Sequence, residues 1–176
     1  MILSNGKIVL RAVEIDDAEC LNEMINSPEI EKMVVGWSFP VSIKNQNDWI
    51  SNLKNSDTVR YTVDYEGKAV GLAIISNIDF KNSTANLNIK LSDKCPKKCG
   101  IGSSAVKLMI EYCFDELNLN CLTANILEYN LASQNTFVKN GFRKDGVLRK
   151  RVYKCSNYYD LYAYSLLRDE YNGNRK

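Results

Sequence analysis

A pair of glycines set between a strand-like run and a helix-like run constrains this chain more than any other feature. Ala85 to Leu91 alternates apolar and polar residues, Ser103 to Leu117 repeats apolar residues at helical spacing, and Lys97-Lys98-Cys99-Gly100-Ile101-Gly102-Ser103-Ser104 connects them. Glycine lets a backbone approach a ligand closely, and a helix starting beside it presents unpaired N–H groups and the positive end of its dipole. A phosphate group suits such a place, and the two lysines add charge to hold it. A glycine-containing turn that binds nothing is the alternative reading of the same eight residues.

The 176 residues are enough for one domain with a substantial core and short for two, so residues 1–176 are read as one domain. Hydrophobic residues make up 45%, charged residues 25%, and the formal net charge is +2. That balance points to neither disorder nor a broad nucleic-acid-binding field, and no nucleic-acid partner is expected. Nothing approaches the roughly 18 apolar residues of a bilayer span, and Met1 to Leu10 lacks the basic and apolar blocks of a signal peptide. A cytoplasmic protein with no membrane partner is the expectation. Cys20, Cys95, Cys99, Cys113, Cys121 and Cys155 show no C-x-x-C spacing, and histidine is absent. No metal centre and no Cys-His nucleophile are expected, and the cysteines read as reduced and structural.

Lys7 to Arg11 reads as an opening strand, followed by a helical pattern from Asp16-Asp17 with Leu21, Met24 and Ile25 on one face and a break at Pro28. Met33 to Pro40 is a loop carrying Trp37 and Phe39, and Ser42 can cap a helix with Trp49, Ile50 and Leu53. Thr58 to Tyr65 and Lys68 to Asn77 form a hairpin through Glu66-Gly67, and Ala85 to Leu91 is the next strand. After the loop and its helix come a strand, Asn120 to Leu127, and a helix, Leu131 to Lys139, ending at Asn140-Gly141. Phe142 to Arg151 and Asn157 to Leu167 make a last pair of strands, and residues 172–176 read as a frayed tail. The order β-α-α-β-β-β-α-β-α-β-β gives an α/β (α+β) fold, a mixed sheet with helices packed on it.

That order, with a glycine loop between the fourth strand and the third helix, resembles the GNAT family of acyl-CoA-dependent N-acetyltransferases along nearly the whole chain. The family pattern at the loop is Gln or Arg, two free positions, Gly, one free position, then Gly or Ala; here it is Lys97-x-x-Gly100-x-Gly102, with lysine as a mild departure. Asn130-Leu131-Ala132-Ser133, followed by Asn140-Gly141-Phe142, resembles the branch containing the ribosomal-protein and spermidine acetyltransferases. So does the tail, with Asn157-Tyr158-Tyr159-Asp160 and Leu166 to Glu170.

The resemblance implies a largely antiparallel sheet with helices on both faces and a splayed central pair of strands, and acetyl-CoA as acyl donor. The diphosphate would be held by N–H groups from Lys98 to Ser103 (Lys98, Cys99, Gly100, Ile101, Gly102, Ser103) with help from Lys97. The pantetheine arm would run along Ile89, Lys90 and Leu91 like an added strand, and Asn130 would reach it from the far side. Asn130 read by itself is also a helix cap. A backbone N–H near Ile89 to Leu91 would polarise the thioester carbonyl. Many relatives donate a proton to the departing thiolate from a tyrosine where this chain has Phe137, so Ser133 is the candidate; its other reading is a hydroxyl bonded to helix backbone.

No carboxylate base stands out, because the fourth strand carries Asn86, Leu87 and Asn88 where some relatives carry a glutamate. Deprotonating a lysine-like amine at pH 7 costs about 4 to 5 kcal/mol, an α-amine only about 1. The expected acceptor is therefore a low-pKa amine, a protein or peptide α-amine or an amino sugar, entering between the first inter-helix loop and the last hairpin, with Trp37, Phe39, Tyr153 and Tyr158 placed to line its path. A polyamine acceptor and a non-catalytic acyl-CoA sensor are the competing readings, and family likeness suggests a homodimer through the last strands.

Overall fold

The alternating runs become strands and the period-3.6 runs become helices, because each then buries one apolar face. The computed structural model describes residues 1–36 and 39–173. In chain order its elements are β1 (Leu3–Ser4), β2 (Ile8–Ala12), α1 (Ala18–Asn26), α2 (Pro28–Met33), α3 (Ile43–Ser51), β3 (Val59–Tyr65), β4 (Lys68–Asp79), β5 (Thr84–Leu91), α4 (Ile101–Glu111), β6 (Cys121–Leu127), α5 (Leu131–Lys139), β7 (Arg143–Lys154), β8 (Asn157–Leu167) and α6 (Arg168–Gly173). A 3-10 turn, Ile15–Asp17, leads into α1, and a π turn, Tyr112–Glu116, extends α4.

The strands form one sheet in the order β1-β2-β3-β4-β5-β6-β8-β7. Every pairing is antiparallel except that of β5 with β6. One face carries Leu10, Val63, Ala73, Leu87 and Leu122 in a core shared with Val106 and Met109 of α4 and Phe137 of α5. The other carries Leu72 and, partly buried, Ile74 against Leu21 and Met24 of α1 and Ile50 of α3. Side chains alternate along a strand, so Ile89 and Leu91 of β5 face the α4 layer while Asn88 and Lys90 face the α1–α3 layer.

Three elements differ from the sequence reading. α1 ends before Pro28 as read, but Pro28 also starts a further helix, α2, because Ser27 caps it by accepting the Ile30 N–H at 3.3 Å, and proline at the first helical position has no N–H to lose. Leu3–Ser4 adds a two-residue edge strand on β2. Residues 172 and 173, read as tail, belong to α6, and 174–176 lie outside the described residues.

An ion-pair network fastens the start of α1 to the sheet. Arg11 donates to both carboxylate oxygens of Asp17, at 2.8 and 2.9 Å, and to Asp64 at 3.2 Å, while the Thr62 hydroxyl donates to Asp17 at 2.7 Å. Burial opposes ionisation of Asp17, yet the Arg11 guanidinium, the Glu14 N–H and the Thr62 hydroxyl outweigh it and hold the carboxyl below its usual range. A carboxylate whose pKa is depressed on folding contributes stability above its unfolded pKa of about 3.9, and that contribution disappears as pH falls through the folded value. Asp17→Asn should therefore be less stable than wild type near neutrality, with the gap narrowing below about pH 4. Urea melts of both proteins across pH 3 to 7 check this; a gap that stays constant would contradict it.

Candidate active site

Strands β5 and β6 pair through only three residues, Thr84↔Cys121, Ala85↔Leu122 and Asn86↔Thr123. Beyond them the strands part, leaving Leu87 to Leu91 and Ala124 to Leu127 on opposite walls of a cavity of about 450 Å³. Over Asn86 to Leu91, β5 remains paired to β4 on its other side, so its backbone edge toward the slot is open for an extended ligand. A polar ladder sits where the strands part: Asn88 donates to Asn86 at 2.8 Å, Asn86 to Thr123 at 3.1 Å, and Thr123 to the Ala85 carbonyl at 3.3 Å.

The glycine loop stands at the mouth of this slot. Gly100 has φ +72°, the left-handed conformation glycine adopts without strain, and it starts α4 with no side-chain cap. The first backbone bond of the helix runs from the Ser104 N–H to the Gly100 carbonyl at 2.9 Å, so the N–H groups of Ile101, Gly102 and Ser103 have no acceptor within the helix. No acidic residue lies in the first turn, and Lys97, Lys98, Cys99 and Gly100 are exposed beside it. The Ile101 side chain belongs to the core, which leaves its N–H as the group it can offer. A Cβ on Gly102 would meet the Leu91 side chain at 3.5 Å and Thr136 at 3.9 Å, ordinary contacts, so the protein's own packing does not require glycine there. Asn140 donates to the Ser103 hydroxyl at 3.0 Å and to its carbonyl at 3.2 Å, tying the end of α5 to the start of α4. Open N–H groups at a helix start, with lysines and no acid beside them, suit an anionic group.

From the β6 side, Asn130 and Ser133 line the cavity. Asn130 caps α5 by accepting the Ser133 N–H at 3.1 Å and donates to the Met33 carbonyl at 2.8 Å. The half-buried Ser133 has no hydrogen bond from its hydroxyl to any described residue. Phe137 is buried edge-on against Phe142, with ring centroids 5.0 Å apart.

A second cavity of about 370 Å³ opens on the α1–α3 face. Leu21, Met24 and Trp49 supply its apolar walls, and it shares Ile30, Val34, Gly36, Ile74 and Lys90 with the first. The glycine loop thus serves one face of the sheet and the second cavity the other, and they meet through the slot. The last turn of α2 is fastened over the junction from the far half of the sheet. Lys154, 5% exposed, forms an ion pair with Glu31 and donates to the carbonyls of Glu31 and Gly36 at 3.0 and 2.7 Å, and Tyr129 donates to the Lys32 carbonyl at 2.6 Å.

The remaining sequence candidates are scattered. Tyr153 and Tyr158, 60% and 61% exposed, lie against each other with ring centroids 5.0 Å apart and are absent from both cavity walls; they sit next to the turn of the β7–β8 hairpin, whose outer face is solvated. Phe39 is 71% exposed and contributes no wall either, although its chain neighbours Gly36 and Val41 do. Trp37 lies outside the described residues. The sequence reading missed Arg60, Trp49 and Lys154 as site residues. Periodicity marks Trp49 as helix core, and nothing local links residues from α3, β3 and β7.

The GNAT acetyltransferase domain model matches residues 7–143. The chain belongs to the GNAT acetyltransferase family. It is 28% identical over 178 residues to the putative ribosomal N-acetyltransferase YdaF of Bacillus subtilis (97% of each chain). It is 27% identical over 177 residues to the uncharacterized N-acetyltransferase p20 of Bacillus licheniformis (97% of this chain, 98% of that one). Its fold superposes on the spermidine N-acetyltransferase of Vibrio cholerae, solved with CoA and spermine, with a TM-score of 0.86 at 19% identity, covering 96% and 99% of the two chains. This acetyltransferase is accordingly an acyl-CoA-dependent enzyme that acetylates an amine. Among the described residues no helix is long and apolar enough to cross a membrane.

Proposed function

We propose that the enzyme moves acetyl from acetyl-CoA to a low-pKa primary amine by direct attack, with donor and acceptor bound at once from opposite faces of the sheet. The observation that carries this reading is the pair of cavities meeting at the β5/β6 slot. The N–H groups of Lys98 to Ser103 hold the diphosphate with help from Lys97, and the open edge of Ile89, Lys90 and Leu91 holds the arm. Bound there, acetyl-CoA supplies an activated thioester. A β5 N–H in the slot polarises its carbonyl, a contribution that needs no particular side chain. The Ser133 hydroxyl, which bonds to no other described residue and lies on the slot wall, gives the departing sulfur a proton, the role closed to Phe137. Asn130 holds α5 and α2 in place around it.

The described acids near the slot support a low-pKa acceptor. Asp93 accepts the Ser27 hydroxyl at 2.5 Å, Glu29 pairs with Lys32 at 3.2 Å, and Glu31 is taken by Lys154. Where the strands part, the ladder offers amides and a hydroxyl, none of which removes a proton from an ammonium. An α-amine, about 1 kcal/mol from its neutral form at pH 7, needs no dedicated base, whereas an amine near pKa 10.4 does.

Free-thiol release from acetyl-CoA with a panel of peptides, amino sugars and polyamines tests the reading. Transfer to α-amines well ahead of spermidine is expected. Coenzyme binding with no transfer to any amine would favour a sensor instead. Ser133→Ala should lower kcat about 100-fold, within the usual range for general acid catalysis, with little change in coenzyme A affinity. Unchanged kcat would remove Ser133 from the mechanism.

A further inference from the structure

Two unpartnered cations share the second cavity. Lys90 of β5 and Arg60 of β3 both line it, and neither makes a hydrogen bond or ion pair with another described residue. Arg60 lies over the Trp49 ring, 6.0 Å from guanidinium carbon to centroid, a contact that orients the group without an ion pair to any described carboxylate. The one carboxylate on that wall among the described residues, Glu31, is already held by Lys154. Cross-strand register explains how the cations converge. Arg60 faces Ile74 and Ile74 faces Asn88, so Arg60, Ile74 and Asn88 form one row, with Lys90 two residues further along β5 on the same side of the sheet. With strands about 4.8 Å apart, the two Cα atoms are about 12 Å apart, and two long side chains reaching across that span leave room for one anion.

We propose that this cavity holds an anionic group of the acceptor between Lys90 and Arg60, so that the acceptor is an apolar amine carrying a carboxylate or phosphate. The inference rests on the reading of the second cavity as the acceptor site and narrows it. Leu21, Met24 and Trp49 receive the apolar body, and the volume of about 370 Å³ is at the small end of the range for small-molecule pockets. Taking an ammonium out of water without a counter-ion is unfavourable, and burial, with the neighbouring Lys154 charge, pushes the Lys90 pKa below its usual value. An incoming anion supplies the missing partner. The same excess of positive charge disfavours a polyamine, whose ammonium groups would face two cations.

The test compares the dipeptide Leu-Gly, its C-terminal amide, and the analogue in which a phosphonate replaces the carboxylate, all with similar α-amine basicity. Wild type should acetylate at least one acidic form with kcat/KM 10-fold or more above the amide, and the better of the two identifies the anion. In Lys90→Gln and in Arg60→Gln the acid-to-amide ratio within each variant should fall toward one. A wild-type ratio of one or less, a ratio that survives both substitutions, or spermidine outrunning every acid overturns the proposal while leaving the acetyltransferase reading in place. Calorimetry of the coenzyme-A-loaded protein with N-acetyl-Leu-Gly and its amide scores the cavity without turnover: tighter binding of the acid, lost in Lys90→Gln, supports the anion site even if no amine is acetylated. Equal binding of the two opposes it.

Discussion

Replacing Gly102 with valine is expected to weaken coenzyme A binding about 100-fold while leaving the fold intact. The protein around Gly102 has space for a Cβ, at 3.5 Å from Leu91 and 3.9 Å from Thr136, so the first added carbon meets ordinary contacts and the two methyl groups beyond it enter the cavity. Helix propensity does not oppose the change, since valine is a better helix former than glycine. The loss falls on the diphosphate, which must approach the N–H groups of Gly102 and its neighbours. Hydrogen bonds to a charged group are worth about 1.5 to 3 kcal/mol each, so lengthening one or two gives about 3 kcal/mol, or about 100-fold in affinity. Gly102→Ala is the control: it fills less of the cavity, matches the family pattern at this position, and should bind coenzyme A far better than the valine variant. Calorimetric titration alongside thermal melts separates the outcomes. Near-wild-type affinity for Gly102→Val would show that the diphosphate lies elsewhere, and a collapsed melting temperature would show that glycine serves the fold.

The first half of the site is written locally, which is why it was legible. The loop, the start of α4 and the Asn130 cap of α5 each depend on residues within a few positions of one another, and the Asn130-to-Ser133 bond follows from the spacing alone. The β3–β4 hairpin was legible for the same reason, through Glu66-Gly67, both at positive φ. α2 was missed because Pro28 was weighed as a stop, although the same residue after a capping serine is a start. Edge strand β1 has two residues and too little pattern to see.

The acceptor side is assembled by register, which no single stretch of sequence encodes. Arg60, Ile74 and Asn88 become neighbours through two successive strand pairings, and Lys154 meets Glu31 across 123 positions. Aromatic content marked the Tyr153–Tyr158 end of the last hairpin as a lining. There the two rings cover each other on the solvent side and line neither of the two cavities. Lys90 was named for its backbone alone. Its side chain acquires meaning only once the α1–α3 layer is seen to lie over that face of β5.

Lys154→Met should destabilise the protein and loosen the acceptor side in preference to the coenzyme side. The ammonium occupies a buried position where it donates to the Glu31 carboxylate, to the Glu31 carbonyl, which otherwise accepts only the long 3.4 Å bond of the Val34 N–H, and to the Gly36 carbonyl in the segment after α2. Methionine fills a similar volume and supplies no donor, so the Glu31 carboxylate and the Gly36 carbonyl lose the Lys154 bond together and the Glu31 carbonyl keeps only the Val34 N–H. Removing one member of a buried pair costs about 3 to 5 kcal/mol; the Glu31 side chain keeps 27% of its surface exposed and can turn to water, which lowers the expectation to about 2 to 4. For a chain of this length that corresponds to a fall in melting temperature of roughly 5 to 15 °C. Because α2 and Gly36 wall both cavities while the glycine loop stands on the opposite face, the acceptor KM should rise several-fold with coenzyme A affinity changed much less. Lys154→Met combined with Glu31→Gln should recover part of the stability, since the stranded charge is gone. A fall of less than about 2 °C, or equal losses for donor and acceptor, would show that α2 is held over the slot by other contacts.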